Sequence, residues 1–228
     1  MQPEVIREIS PLFRAANTGT LETLLLHAVE HEYPANRALL MEDAWGNAVY
    51  FILVGWVKVR RLTSDGAVTI AVLGKGDVFG EMAVLDESPR STDVVSLSPV
   101  KALSVSATHF VQMLLRDPQM QYRMLQMMGA RLKQTNRRFE LKDQSQVKRL
   151  ANTLTDLGRK YGTQIDQAGV EIFNVPFTDL ANISDVSVED TAKIMGKLDE
   201  RGWIRVDSDR QVLQITGFKQ LQKMMELS

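Results

Sequence analysis

The sequence predicts an α+β chain in three parts: a strand-rich first part, one long helix, and a helical tail that closes in a hairpin. Three observations carry this expectation. Short apolar or alternating runs recur between turn signals as far as residue 107. From Thr108 the apolar spacing becomes that of a helix. Beyond residue 144, helical segments precede two alternating runs about a polar turn. The expected domains are therefore 1–107, 108–143 and 144–228.

The elements follow in order. A short helix opens the first domain at Leu21 to Ala28. Strands are expected at 48–54, 56–60, 68–73, 93–96 and 102–105, separated by turn signals at Ser64-Asp65-Gly66 and Gly74-Lys75-Gly76-Asp77. Many short strands with close turns indicate a sandwich or barrel. Phe110, Met113, Leu114, Met120, Met124, Leu125, Met128, Leu132 and Phe139 then keep helical spacing, and the stretch after Pro118 has few helix breakers. So long an apolar helix needs a partner. It either lies on the strand domain or pairs with its own copy, and the methionines, which pack adaptably, favour a dimer. Lys142 to Gln146 interrupt the stripe and are read as a hinge. Helices at 147–161, 177–184 and 188–201 and a hairpin over Trp203 to Ile215 complete the order of a winged helix-turn-helix.

Composition narrows the function. A chain of 228 residues suits two modest domains, and its 44% hydrophobic and 24% charged residues are those of a soluble globular protein. The formal charge of −1 gives no overall drive toward nucleic acid or anionic membrane, so any DNA contact needs a local basic patch. There are no cysteines, which excludes a disulfide scaffold, a thiolate nucleophile and a cysteine-ligated cluster or zinc, and agrees with a cytoplasmic location. No signal-peptide order and no membrane-length apolar run is present. His27-Ala28-Val29-Glu30-His31 has the spelling of a zinc-peptidase motif, but it is short, runs into Tyr33-Pro34 and lacks a third ligand. Two surface histidines are expected there. No catalytic residue, metal site or cofactor is expected anywhere, and the protein reads as a non-enzyme.

The stretch from Phe79 to Thr92 carries the most chemistry. Gly80 permits close backbone approach, and a helical turn at Glu81 to Leu85 would present amide donors. Glu81 would repel a phosphate but accept from a hydroxyl, while Arg90 offers a planar fork to phosphate oxygens. Spacing alone leaves two readings open: a phosphate cradle, or a turn with a solvated salt bridge. Phe79-Gly80-Glu81-Met82-Ala83 followed by Pro89-Arg90-Ser91-Thr92 resembles the phosphate-binding cassette of cyclic-nucleotide-binding domains. With the long helix, hinge and winged tail, residues 20 to 215 resemble the cyclic AMP receptor protein (Crp–Fnr) family of bacterial transcription regulators.

The resemblance implies an N-terminal jelly-roll-like β-roll that binds a cyclic nucleotide, a long dimerisation helix, and a winged helix-turn-helix that binds double-stranded DNA. Glu81 would meet the ribose 2′-hydroxyl and Arg90 the cyclic phosphate, with the Met82 and Ser91 amides and the Ser91 hydroxyl completing the cradle. Thr135 and Asn136 fall where family members close the pocket over the base from both subunits of the homodimer, and Ile70 and Ala71 would line its apolar side. Asparagine stands where the family has serine, so base choice stays open among cyclic AMP, the first expectation, cyclic GMP and cyclic di-GMP. Ligand binding would pull the long helices into a new register and rotate the winged domains through the hinge.

At the DNA-reading end, Thr178, Ser187, Val188, Glu189, Lys193 and Lys197 are the expected contact residues. Ser187 should cap the recognition helix with Asp190, over a core of Ala181, Ile183, Val186, Ile194 and Leu198. The family usually has arginine, glutamate and arginine on the reading face; here they are Val188, Glu189 and Lys193. Val188 cannot form a bidentate pair with guanine. From Pro176 to Val206 six acids face four bases, a poor footprint for phosphate unless Lys133, Arg137, Arg138, Lys148, Arg149 and Arg210 supply the charge. The leading expectation is a DNA-binding regulator with weak or unusually specific binding, which also meets RNA polymerase or another regulator. The alternative is a messenger-dependent adaptor that acts through protein partners.

Overall fold

A computed structural model describes residues 6–8, 10–165 and 169–226. The chain divides into two units, 1–134 and 135–228.

The first unit begins with α1 (Thr18–His27), whose N-cap Asn17 accepts from the Thr20 amide. Eight strands follow in chain order: β1 (Val29–Tyr33), β2 (Ala38–Leu40), β3 (Ala48–Val54), β4 (Val57–Thr63), β5 (Gly66–Leu73), β6 (Val78–Phe79), β7 (Asp93–Ser96) and β8 (Val100–Ser106). The short α2 (Glu81–Leu85) sits between β6 and β7. The strands pair antiparallel in two sheets, β1-β8-β3-β6 and β2-β7-β4-β5. The period of two along β3 explains the layering. Tyr50 and Ile52 point between the sheets, toward Val57, Leu73, Phe79 and Val94. Val49, Phe51 and Leu53 point the other way, into a larger core with Leu21, Leu24, Phe110 and Met120. That second core is covered by α1, α3 (Ala107–Arg116) and the first half of α4 (Pro118–Glu140).

Three strands escaped the sequence reading: β1, β2 and β6. β1 overturns a detail of the histidine motif. His27 is the last residue of α1 and is exposed, whereas His31 lies on β1 opposite Ala102, half-buried with its Nε2 2.8 Å from Ser104 Oγ, so only the first is the surface histidine expected. His27 instead stacks on His109, with ring centroids 3.7 Å apart.

In the second unit α5 (Gln146–Tyr161), α6 (Phe177–Ser184), α7 (Val188–Glu200) and α8 (Phe218–Glu226) surround a sheet ordered β11-β12-β10-β9. Its strands are β9 (Thr163–Gln164), β10 (Val170–Phe173), β11 (Arg205–Asp207) and β12 (Val212–Ile215), and β11–β12 is the expected hairpin. The sequence reading missed β9, β10 and α8. A Cβ on Gly158 of α5 would stand 2.5 Å from the Phe218 ring, so the glycine is what lets α8 pack so closely. The helix-turn-helix core contains Ala181, Ile183, Val186 and Leu198 as expected. Ile194 is only half-buried, and Thr191 and Met195 take the inner face with Leu198. The i, i+4, i+7 stripe is thus set three residues earlier and one later than the sequence reading had it.

Thr191 is fully buried and its hydroxyl has no hydrogen-bond partner among the described residues. Thr191→Val removes a buried unsatisfied group at nearly constant shape, and stability in urea should rise by about 1 kcal/mol. An equal or lower unfolding midpoint would show that the hydroxyl is satisfied.

Candidate functional site

The cassette is assembled by three neighbouring pieces of the first unit. β6 delivers Phe79, which is buried and stacks on Tyr50 at 5.2 Å between ring centroids. Gly80 follows in the left-handed region, at φ 79° and ψ 2°. A Cβ here would lie 2.7 Å from Arg90 Nη1 and 3.0 Å from Leu40 Cδ1. Glycine is therefore required twice, by dihedral angle and by space. The strap at 43–45 then holds the far side: the Asp43 amide donates to the Arg90 carbonyl at 2.9 Å, the Arg90 amide to the Ala44 carbonyl at 2.8 Å, and Trp45 bridges Pro89.

Both charges of the cassette are buried. Arg90 turns inward, 4% exposed, and donates from Nη1 to the Gly80 carbonyl and from Nη2 to the Ala48 carbonyl at 2.6 Å. Burial lowers its pKa, opposed first by Tyr50 and then by Glu81. Glu81 is 1% exposed, and its carboxylate accepts from Arg131 Nη1, while Arg131 Nη2 donates to the Val78 carbonyl. Burial raises the Glu81 pKa above its ordinary 4.5, against the pull of Arg131, a backbone amide and Arg90. Two cations and one carboxylate thus surround Gly80, and an anion entering there would meet an arginine whose fork has five N–H groups.

The other expected ligand residues distribute as follows. Ala83 is buried, Met82 exposes its side chain, Ser91 is exposed and Thr92 half-buried. Ala71 packs half-buried on the core between the sheets, while Ile70 beside it is exposed on β5. Thr135 and Asn136 are exposed near the end of α4, in the second unit. Arg131 escaped the sequence reading, although a signal existed. It continues the buried face of Met120, Met124 and Met127 at helical spacing, and a cation on such a face needs an acceptor.

On the reading side, Ser187 Oγ accepts from the Asp190 amide at 3.0 Å and donates to its carboxylate at 2.8 Å, which is the cap the sequence implied. Val188, Glu189, Ala192, Lys193, Gly196 and Lys197 form one exposed stripe of α7, and Thr178 is exposed in the first turn of α6. Lys193 Nζ donates to Glu189 at 2.7 Å. Several expected phosphate contacts also have partners within the unit: Arg210 meets Glu171 at 2.7 Å, Arg137 donates to Asn152 at 3.4 Å, and Arg149 is bound to backbone carbonyls. Among the described residues no group of three or more His, Cys, Asp or Glu could hold a metal.

The raised Glu81 pKa has a stability consequence. The folded chain holds this proton more tightly than the unfolded chain. Its contribution is complete below pH 4.5 and is lost as pH rises through the raised value. Glu81→Gln mimics the protonated form. Its thermal midpoint relative to the parent should be most favourable near neutrality, and this advantage should shrink as pH falls toward 4.5. A pH-independent difference would contradict the burial of the charge.

The comparisons with known proteins agree with this geometry. Residues 30–117 match the cyclic nucleotide-binding domain, and residues 148–224 match the Crp-like helix-turn-helix domain. The CRP-like cAMP-activated global transcriptional regulator of Mycobacterium tuberculosis is 24% identical over 198 residues, covering 86% of this chain and 88% of that protein. The cyclic AMP receptor protein of Thermus thermophilus is 25% identical over 199 residues, covering 86% and 89%. In fold the chain resembles FixK2 from Bradyrhizobium japonicum, with TM-score 0.72, 18% identity and coverage of 86% and 96%. It also resembles the c-di-GMP responsive global regulator CLP of Xanthomonas campestris, with TM-score 0.69, 19% identity and coverage of 87% and 99%. With a cyclic nucleotide-binding domain and a Crp-like helix-turn-helix domain matched in one chain on either side of a long helix, the chain belongs to the Crp–Fnr family of cyclic-nucleotide-binding transcription regulators.

Proposed function

We propose that the chain is a second-messenger-responsive regulator that binds cyclic AMP at the cassette and controls DNA binding as a cytoplasmic homodimer. The observation that carries the reading is the buried pairing around Gly80, where Arg90 and Glu81 converge and Arg131 ties the long helix to Glu81. The ring phosphate meets the Arg90 fork, the Met82 and Ser91 amides and the Ser91 hydroxyl, and the ribose 2′-hydroxyl donates to Glu81. Ile70 and Ala71 flank the apolar side. A ligand hydroxyl on Glu81 competes with Arg131, which couples occupancy to the long helix. The hinge at 141–145, between α4 and α5, passes this on to the reading heads. RNA polymerase or another regulator is the further partner.

The dimer reading rests on a second face of α4. Tyr122, Leu125, Leu132 and Phe139 are 58%, 70%, 62% and 71% exposed, and with Gly129 and Asn136 they keep the 3–4 alternation of a heptad seam. The occupant of such a seam is a second copy of the same helix. Asn136 at a core position would fix its register, as a single buried asparagine does in two-stranded coils.

One observation favours a second reading. The only base in the first two turns of the reading stripe, Lys193, is engaged by Glu189, so an adaptor that docks on protein instead of DNA remains the alternative. Selection from random duplexes followed by footprinting separates the two.

Calorimetric titration against cyclic AMP, cyclic GMP and cyclic di-GMP should give tightest binding to cyclic AMP. Arg90→Leu should weaken it about 10- to 150-fold, the worth of a charge-assisted phosphate contact. Arg90→Lys should fall between, with circular dichroism confirming that both fold; unchanged affinity in Arg90→Leu removes the phosphate assignment. Leu132→Glu should give a monomer in sedimentation equilibrium at concentrations where the parent is a dimer, and a dimeric variant would move the interface elsewhere.

A further inference from the structure

We infer that Arg149 is a positioning residue that locks the hinge to the turn of the helix-turn-helix, so that the hinge segment and the reading helix move as one piece. The inference rests on the regulatory reading above for its purpose, and on the second unit alone for its geometry.

Arg149 sits in the first turn of α5. Its Nη1 donates to the carbonyls of Lys142 and Gln144, both at 2.9 Å, and its Nη2 donates to the carbonyl of Asp185 at 2.7 Å. The first two acceptors belong to the segment between α4 and α5. The third is the left-handed residue, at φ 55°, that ends α6 and starts the turn into α7. One planar group therefore reads three backbone positions on two separate pieces of chain. A second contact from the same turn repeats the connection. Gln146 Nε2 donates to Asp190 Oδ2 at 2.9 Å, and that oxygen also accepts from the cap hydroxyl of Ser187 at 2.8 Å. The start of the turn, Asp185, and the first turn of the reading helix, at Asp190, are thus both held from the first turn of α5.

The choice of arginine matters. All three acceptors are main-chain carbonyls, so the contact tests where the backbone is and not which side chains it carries. A guanidinium fixes its N–H directions in one plane, whereas a lysine ammonium is a point charge on a flexible stem and cannot span both pieces. Near the end of α4, Arg137 donates to Asn152 at 3.4 Å and Asn152 to Asp156 at 3.1 Å, which braces the helix before the hinge against α5 as well. A rotation delivered by α4 then reaches α7 without being absorbed in residues 141–145.

The test uses the full-length dimer and Arg149→Lys, which keeps the charge that DNA phosphates would see. Hydrogen exchange is measured without ligand, and DNA affinity is measured with and without saturating cyclic AMP. In Arg149→Lys, amides of 141–145 and of 185–191 should both exchange about tenfold faster, with the thermal midpoint of the whole unit little changed. The ratio of DNA affinities with and without nucleotide, ordinarily about 5- to 150-fold in coupled proteins, should fall to about twofold or less, while nucleotide affinity without DNA stays at the parent value. Gln146→Leu should reduce the ratio partially. Unchanged exchange in both segments, faster exchange in only one, or a parent-like affinity ratio overturns the inference. If the parent itself shows no nucleotide effect on DNA affinity, the regulatory reading fails, and the exchange arm still decides whether Arg149 locks the two pieces.

Discussion

The interaction on which the first unit depends is the burial of two charges, Arg90 and Glu81, around one glycine, with the half-buried Arg131 closing over them. Arg90 and Glu81 are both almost inaccessible, and neither could stay so without acceptors and donors arranged in advance. The chain supplies them from its backbone: Gly80 and Ala48 for Arg90, Val78 for Arg131. This explains why β3 and β6 must pair as they do, with Tyr50 opposite Phe79 and Phe51 opposite Val78. The same ladder that builds the sheet aims the carbonyls. Desolvation is the largest influence on both charges, raising the Glu81 pKa and lowering that of Arg90.

That arrangement leaves α4 with two distinct faces. Met120 and Met124 bury against the strand domain, and Arg131 continues their face onto the cassette. Tyr122, Leu125, Leu132 and Phe139 occupy a different face and are exposed. The sequence offered packing on the strand domain and self-association as competing explanations of one apolar stripe. The structure resolves that stripe into two, because residues one apart on a helix point about 100° from each other. Met124 and Leu125 are adjacent in sequence and belong to different surfaces.

How much was legible beforehand follows from which signals are local. The long strands β3, β4 and β5 were visible because alternation and turns lie within a few residues of each other. β1 was hidden because Glu30-His31-Glu32 is a continuous polar run that falls within the spelling of a helical motif; its strand state comes from β8, some seventy residues away in sequence. The short β6 is only two residues long and carries no periodicity at all. The cap at Ser187 was legible because it is a local contact. Arg131 was legible only as a cation on a buried helical face; which acceptors it meets was not, since Glu81 and Val78 lie about fifty residues earlier in the chain. The inner face of α7 was misplaced at Ile194 because isoleucine outranks threonine in hydrophobicity, yet Thr191 is the residue that the helix phase turns inward.

The electrostatics of the second unit reverse a first impression. Counted along the chain, the reading region is too acidic and its nearby arginines seem available for phosphate. In the fold those cations divide into two kinds. Lys193 with Glu189 and Arg210 with Glu171 are surface pairs whose members are well exposed on the cation side. Such pairs contribute about 0–1 kcal/mol, so a phosphate can take the cation over at little loss. Arg149 is different, because its one fork joins three carbonyls on two separate pieces of chain, so a phosphate that took it over would undo both connections at once. Surrendering that fork would leave carbonyls unpaired on both sides of the hinge. The acid-rich reading helix therefore keeps exchangeable cations at its surface, while Arg149, one of the six bases the sequence offered for phosphate, is held inside the unit by three carbonyls.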